Sequence, residues 1–577
     1  MADRYWVGGS GTWDSSSTAN WSATSGGAAG ASAPTTADAV IFDSASGTGT
    51  VTTAAGATGL TVLVNSTNIN LTLGANLTVA GGVTLTIGTI NLASFTFTAV
   101  NFASTNTNAR TIAFGTGKFS LTGNNAFIWA CNDATNLTIT GEPVVDLIYA
   151  GAVGTRNVIN GSAAGGSEAI AISVNITAGS DIIQLDRSGT AGGSFIKNLN
   201  FTGFTGTGPT TFGFALYGNL TLGAGMTVGD AGFVFSGTSG VQTITSNGVT
   251  CNCAFTKNGA GTLQLQDNLT MGSTRTFTLT AGTLDLVRRT LSTGLFNTNN
   301  SNVRTLAFGT GNITLTGNSA SVWNTATATN LTITGTPTVN ATYAGATGTR
   351  TINAGSISGG GLSTALSFNI LAGTDIVNLA TNSFFKNLNF TGFLGSLGIS
   401  TRTLYGDLTI SAGMTVTGGA SNTNFAGTSG TQQITTNGVT LDHPLIFDGV
   451  GGTFAFQDAL TQGSTRTFRI TNGTVQLKNG VTSTVGSFVA NNSNVKFLQS
   501  TTPGSQATLS QASGTVNVVD LTIQDINAVG GASWNAYTDF ENTDAGNNDG
   551  WNFSLSPPYS TAELPVTLRS FTQPRRF

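Results

Sequence analysis

The chain has 577 residues, a net charge of -4 and only 8% charged side chains, against roughly 25% in an ordinary globular protein. Its 21 basic residues are scattered, which argues against a nucleic-acid groove and against a polybasic membrane footprint. Gly supplies 78 residues without a period of three, and 34 Phe recur with Leu, Ile and Val in alternation, so neither a collagen nor a disordered chain fits.

The N-terminus lacks the basic and apolar regions of a signal peptide, and no run of 18 uninterrupted apolar residues occurs. The expectation is a chain that stays where it is made, leaves by lysis or a special route, or has been trimmed, with no membrane insertion. Residues 1–50 stand apart. They hold Tyr5, Trp6, Trp13 and Trp21 among Gly and Ser, and read as a Trp-rich N-terminal cap or attachment module. A terminal unit of a stack must differ from the rest to stay soluble.

From about Val51 the pattern becomes short strands of 4 to 6 residues, as in NLTLG (70–74), VTLTIG (83–88) and FTFTAV (95–100). Alternation points one side chain inward and the next outward. Thr dominates the outward set, where its branched Cβ favours extended backbone without charge. Gly and Asn fall at the corners, where left-handed torsions are cheap for them. No segment reads as a helix, so a doubly wound fold is excluded. Asn-Gly and Asp-Gly hairpin turns are few for so many strands.

A unit of about 190 residues then occurs twice. RTIAFGTGKFSLTGNN (110–125) returns as RTLAFGTGNITLTGNS (304–319), and YAGAVGTR (149–156) as YAGATGTR (343–350), both at an offset of 194. FIKNLNFTGF (195–204) matches FFKNLNFTGF (384–393) at offset 189, and GSTRTF at 272 and 463 keeps 191. The drift means that small insertions are tolerated between matching core stretches. Residues 51–300 hold a partial unit plus the first full repeat, and 301–510 the second.

This pattern predicts an all-β fold: an elongated parallel β-helix (β-solenoid) built from tandem units, with distinct end caps. At roughly 20 residues per turn and about 4.8 Å per rung, some 450 residues would make about 22 turns and a rod on the order of 100 Å long. Residues 511–555 read as a C-terminal cap containing Trp534 and Trp551. Residues 556–577 read as an extended tail, since Pro557, Pro558 and Pro565 do not continue a coil easily. Trp6, Trp13, Trp21, Trp534 and Trp551 are the capping or attachment candidates.

Residues with chemical potential are sparse. Glu142 and Asp146 are the one carboxylate pair in the repeats worth naming, yet the second unit has Thr336 and Asn340 in their places, so they read as surface residues. His443 is the sole histidine, with no second imidazole to share a metal. Asp539, Glu541, Asp544 and Asp549 do not follow the spacing of a hand-type calcium loop. Cys131, Cys251 and Cys253 have no counterparts in the second unit and read as free thiols, with Cys251 and Cys253 too close together for a zinc knuckle. No catalytic, cofactor-binding or metal-ligating residue follows, and the expectation is a non-enzymatic protein without cofactors.

YWVGGSGTWDSSSTANWS (5–22) followed by PTTADAVIFD (34–43) resembles, over some 40 residues, the opening of Gly/Thr/Asn-rich β-helical fibre and tail-associated proteins of bacteriophage virions, an opening found also on some bacterial surface proteins. That resemblance implies a structural virion component, often trimeric, attached by one end. The implied partners are copies of itself, other virion proteins and a host-surface glycan or protein. A charge-poor outer face, which lacks the repulsion that keeps monomers apart, points the same way, to a homo-oligomer. A secreted bacterial adhesin or surface matrix protein is the alternative reading, and a polysaccharide-degrading tailspike the next.

Overall fold

The computed structural model describes residues 2–185, 193–210, 214–398 and 400–555. The tail expected at 556–577 lies outside the described residues. By internal packing the chain divides into two units, Met1–Gly398 and Ile399–Phe577, and the division falls inside the second sequence repeat.

The first unit is an all-β parallel solenoid. Thr262–Leu265 pairs in parallel with Gly282–Asp285, which pairs with Arg304–Ala307, which pairs with Leu331–Thr334. In-register pairing stacks like on like: Leu263, Leu284 and Leu306 form one buried column. Phe233, Phe255, Phe277, Phe296 and Trp323 form another, with successive ring centroids 5.0, 6.3, 6.0 and 4.7 Å apart. Each ring brings about 1.5–3 kcal/mol of apolar burial, and each aromatic pair adds about 0.5–1.5 kcal/mol. Between the inward residues, Thr256, Thr278 and Asn297 make an outward ladder on the same strands.

The second unit repeats the architecture. Phe425, Phe447, Phe468 and Phe488 stack at 5.0, 4.9 and 5.8 Å. Its strands Leu445–Phe456, Thr467–Leu477 and Lys496–Ser500 pair in parallel.

About half of the described strands have the expected 4 to 6 residues, many have only 2 or 3, and several run longer. Thr61–Leu73 has 13 residues, and Leu445–Phe456 has 12. In the first of these the register against Val83–Asn91 slips between Val64 and Asn70. The hydrogen-bonded ladder thus follows the chain around a bend, while Thr67 and Asn68 both turn outward. Among the described residues helix is confined to three-residue 3-10 turns, such as Glu168–Ile170 and Leu362–Thr364.

Asparagine makes the corners. Asn136 and Asn330 hold equivalent left-handed positions with φ of 57° and 59°. Each amide donates to a carbonyl one rung away, Thr107 and Ser301 respectively, both at 2.9 Å. Asn247 and Asn437 repeat the device with φ of 50° and 48°, donating to Leu222 and Ile410 at 2.7 Å. The side chain thereby ties the turn to the stack.

Candidate binding surface and interior polar clusters

The five tryptophans offered as capping or attachment residues pack mostly inward. Trp6, Trp13 and Trp21 are at most 1% exposed and meet around Phe42. Trp21 lies edge-on to Trp6 at 5.1 Å and to Trp13 at 5.8 Å. The short strand Trp21–Ser22 pairs antiparallel with Asp3–Trp6, whose other edge pairs parallel with Ala39–Phe42. In the second unit Trp534 and Trp551 lie 5.0 Å apart against Phe488, with Trp534 buried and Trp551 half-buried.

Buried arginines mark the repeats. Arg156 forms a bidentate ion pair with Asp181, its Nε and Nη2 donating at 2.8 and 2.7 Å, and neither side chain is exposed. The guanidinium also lies against the rings of Tyr149 and Phe204, each 5.7 Å away. Arg350, Asp375, Tyr343 and Phe393 reproduce the assembly at offset 194 for the first three. Arg110 and Arg304 are also buried but pair with carbonyls instead. Arg110 donates to Ser104, Asn108, Asp133 and Thr135, and Arg304 to Thr298, Asn302, Thr327 and Thr329. A buried cation saturated in this way links two rungs and has no free position for substrate.

The other chemical candidates are similarly engaged. Asp146 pairs with Lys118 at 2.7 Å and accepts from Asn175 at 2.9 Å, while Glu142 is exposed. Asp544 accepts from the backbone of Gly546 and from the Asn548 amide. Among the described residues no three His, Cys, Asp or Glu side chains gather so as to hold a metal ion. All three cysteines are free and buried; burial pushes the Cys131 and Cys251 thiols up to about 12 and raises Cys253 as well. Among the described residues no helix is long and apolar enough to cross a membrane.

His443 belongs to an interior that the two repeats fill differently. Its Nε2 lies 3.0 Å from Thr423 Oγ1, and Gln462 donates to its carbonyl. Burial first, then the charge of Arg402, holds the imidazole down to about 3. Arg402, Thr423, His443 and Gln462 occupy the places of Phe214, Phe233, Cys253 and Met271 in the first repeat. Lys257, buried with its ammonium on the Gly237 and Gly259 carbonyls, corresponds to Phe447. The buried cation has thus moved along the interior between the copies.

A surface groove of about 270 Å³ opens in the first repeat beside Glu168–Ile170. Glu168, Lys197, Asn198 and Tyr217 contribute its polar wall. Tyr217 is backed by Phe195, the rings 6.3 Å apart and 13° from parallel. Phe195 in turn lies so flat on Gly166 that a β-carbon there would sit 2.0 Å from the ring. Burial, then the charge of Glu168, raises the Tyr217 phenol above its usual range. Neither Glu168 nor Lys197 is in an ion pair among the described residues. Sequence reasoning missed this groove; its one available signal was the aromatic-Lys-Asn stretch common to 195–198 and 384–387.

No protein-family model, curated protein or solved structure matches the chain.

Proposed function

We propose that this chain is a structural fibre or tail-associated protein of a phage virion, non-enzymatic and contacting the host surface. The observation that supports it best is the parallel solenoid of both units, whose polar interior groups serve as rung-to-rung ties. Such a body suits a load-bearing or displaying role, and its charge-poor Thr/Asn exterior suits lateral packing. The tryptophan clusters are assigned to capping, with attachment made by the polar segments around them. A homotrimer is the favoured assembly.

The test is immunogold labelling of phage particles and host cells with antibody to the purified chain, alongside sedimentation of the protein at micromolar concentration. Label on the particle and a stable trimer are expected. Label confined to the cell envelope would replace this reading with that of a bacterial adhesin, and a stable monomer would remove the trimer.

A further inference from the structure

The groove beside Tyr217 brings an aromatic ring, a carboxylate and an ammonium together in one recess. An aromatic ring stands in its wall, and that ring is held in place by a second ring and a glycine. A carboxylate and an ammonium line the same recess, and among the described residues neither has an ion-pair partner. Asn198 is fixed by donating to Ser173 Oγ at 3.0 Å and accepting from the Asn219 backbone at 2.8 Å, which anchors the wall next to Lys197.

We propose that this groove is a saccharide-binding subsite, with Tyr217 as the stacking ring and Glu168 and Lys197 as hydrogen-bonding partners of sugar hydroxyls. A pyranose presents a face of C–H groups to an aromatic ring and a rim of hydroxyls that both donate and accept. It therefore satisfies a carboxylate, which only accepts, and an ammonium, which only donates, at the same time. A phosphorylated ligand fits worse, because Glu168 would repel what Lys197 attracts. An apolar peptide fits worse because the lining carries two charged side chains. The volume falls below the about 300–1,000 Å³ of pockets for drug-sized ligands, so the subsite takes one residue of a longer glycan. This inference rests on the surface-contact part of the proposed function and names its ligand.

The second repeat supplies an internal control. Phe384 lies on Gly360 as Phe195 lies on Gly166, with a β-carbon there 2.4 Å from the ring. Lys386 and Asn387 follow as Lys197 and Asn198 do, but Leu362 stands where Glu168 would be and is 59% exposed. The acid is therefore not needed to build the local fold, and its presence in one copy alone marks that copy as the binding one.

The experiment applies the full chain to an array of immobilised oligosaccharides bearing neutral, N-acetylated and acidic hexoses, then titrates the best by calorimetry. Retention of at least one glycan is expected, with affinity falling tenfold or more in Glu168→Leu, Lys197→Ala and Tyr217→Ala. Lys386→Ala should bind as the parent does. Glu168→Leu installs the side chain that the other repeat already carries, so its folding is secure even if Tyr217→Ala unfolds. No glycan retained, or equal affinity in both Glu168→Leu and Lys197→Ala, overturns the proposal and leaves the fibre reading intact. Failure of particle labelling would remove the virion reading without touching the groove.

Discussion

Arg156 and Asp181, 25 residues apart in sequence, meet as a bidentate ion pair with no exposure of either side chain. A lone buried charge costs far more than an unmade surface pair. Asp181→Asn keeps the shape and removes the charge, leaving the guanidinium uncompensated. The expected loss is about 3–5 kcal/mol, read by denaturant unfolding. A loss below about 1 kcal/mol would mean that the pair behaves as a surface contact.

Phe277 sits in the middle of the first unit's aromatic column, between Phe255 and Phe296. Phe277→Ala should cost about 3–5 kcal/mol, because rigid rungs above and below do not collapse into the space. Its neighbour Thr278 points outward, and Thr278→Ala should stay within about 0.5 kcal/mol. Calorimetric melting of the two variants checks inward against outward placement. Equal effects would contradict the alternation.

Asn330 combines a left-handed backbone with an amide bond to Ser301. Asn330→Ala loses both and is expected to cost about 1–3 kcal/mol. Asn330→Gly keeps the backbone freedom and loses only the amide, so it should cost less. The order Ala worse than Gly is the point to measure; equal losses would show that the hydrogen bond alone decides.

His443 gives the acid limb of stability a defined sign. Its folded pKa is depressed to about 3, through burial first and the Arg402 charge second, while an unfolded imidazole titrates near about 6.5. Between those values the unfolded chain binds the proton and the folded chain does not, so stability falls as pH falls from about 6.5 towards 3. Above that window the group contributes no slope. His443→Cys, the residue of the first repeat, should flatten the curve there in equilibrium unfolding from pH 7 to 3.5. An unchanged slope would show that His443 is accessible to protons in the native state.

Burial and raised thiol pKa values make the three cysteines inert. Iodoacetamide at pH 8 should modify none of them in the native protein and all three in concentrated guanidinium, as counted by intact mass. Rapid native labelling at Cys131 or Cys251 would mean local opening of those rungs.

The fold was legible in the sequence because its signal is periodic. Alternating Leu-x-Ile and Phe-x-Phe stretches, corner Asn136 and Asn330, and the 194-residue offset of Tyr149 and Tyr343 each state the rung geometry separately. Asp181 and Asp375 keep that same offset, so their partners Arg156 and Arg350 could have been found by asking what a buried acid pairs with. The groove was less legible, because Glu168, Lys197 and Tyr217 come from different rungs and only register brings them side by side. The tryptophans of residues 1–50 stood out by composition, but composition does not say which way an indole turns. Long strands such as Thr61–Leu73 were unreadable because a bend that keeps its ladder breaks the alternation without ending the strand.

The relocation of the buried cation from Lys257 to Arg402 has a genetic consequence. Near-identical stretches such as those at 110 and 304 invite unequal crossing-over, which lengthens or shortens the protein by a whole copy. Junctions within 110–117 or 149–156, where the copies match almost residue for residue, would disturb the folded chain least. A junction falling between 214 and 271 would instead seat Phe214 beside Thr423 and His443, mixing an oily filling with one built for hydrogen bonds. The divergence of the two interiors would therefore confine tolerated exchanges to the matching stretches outside it.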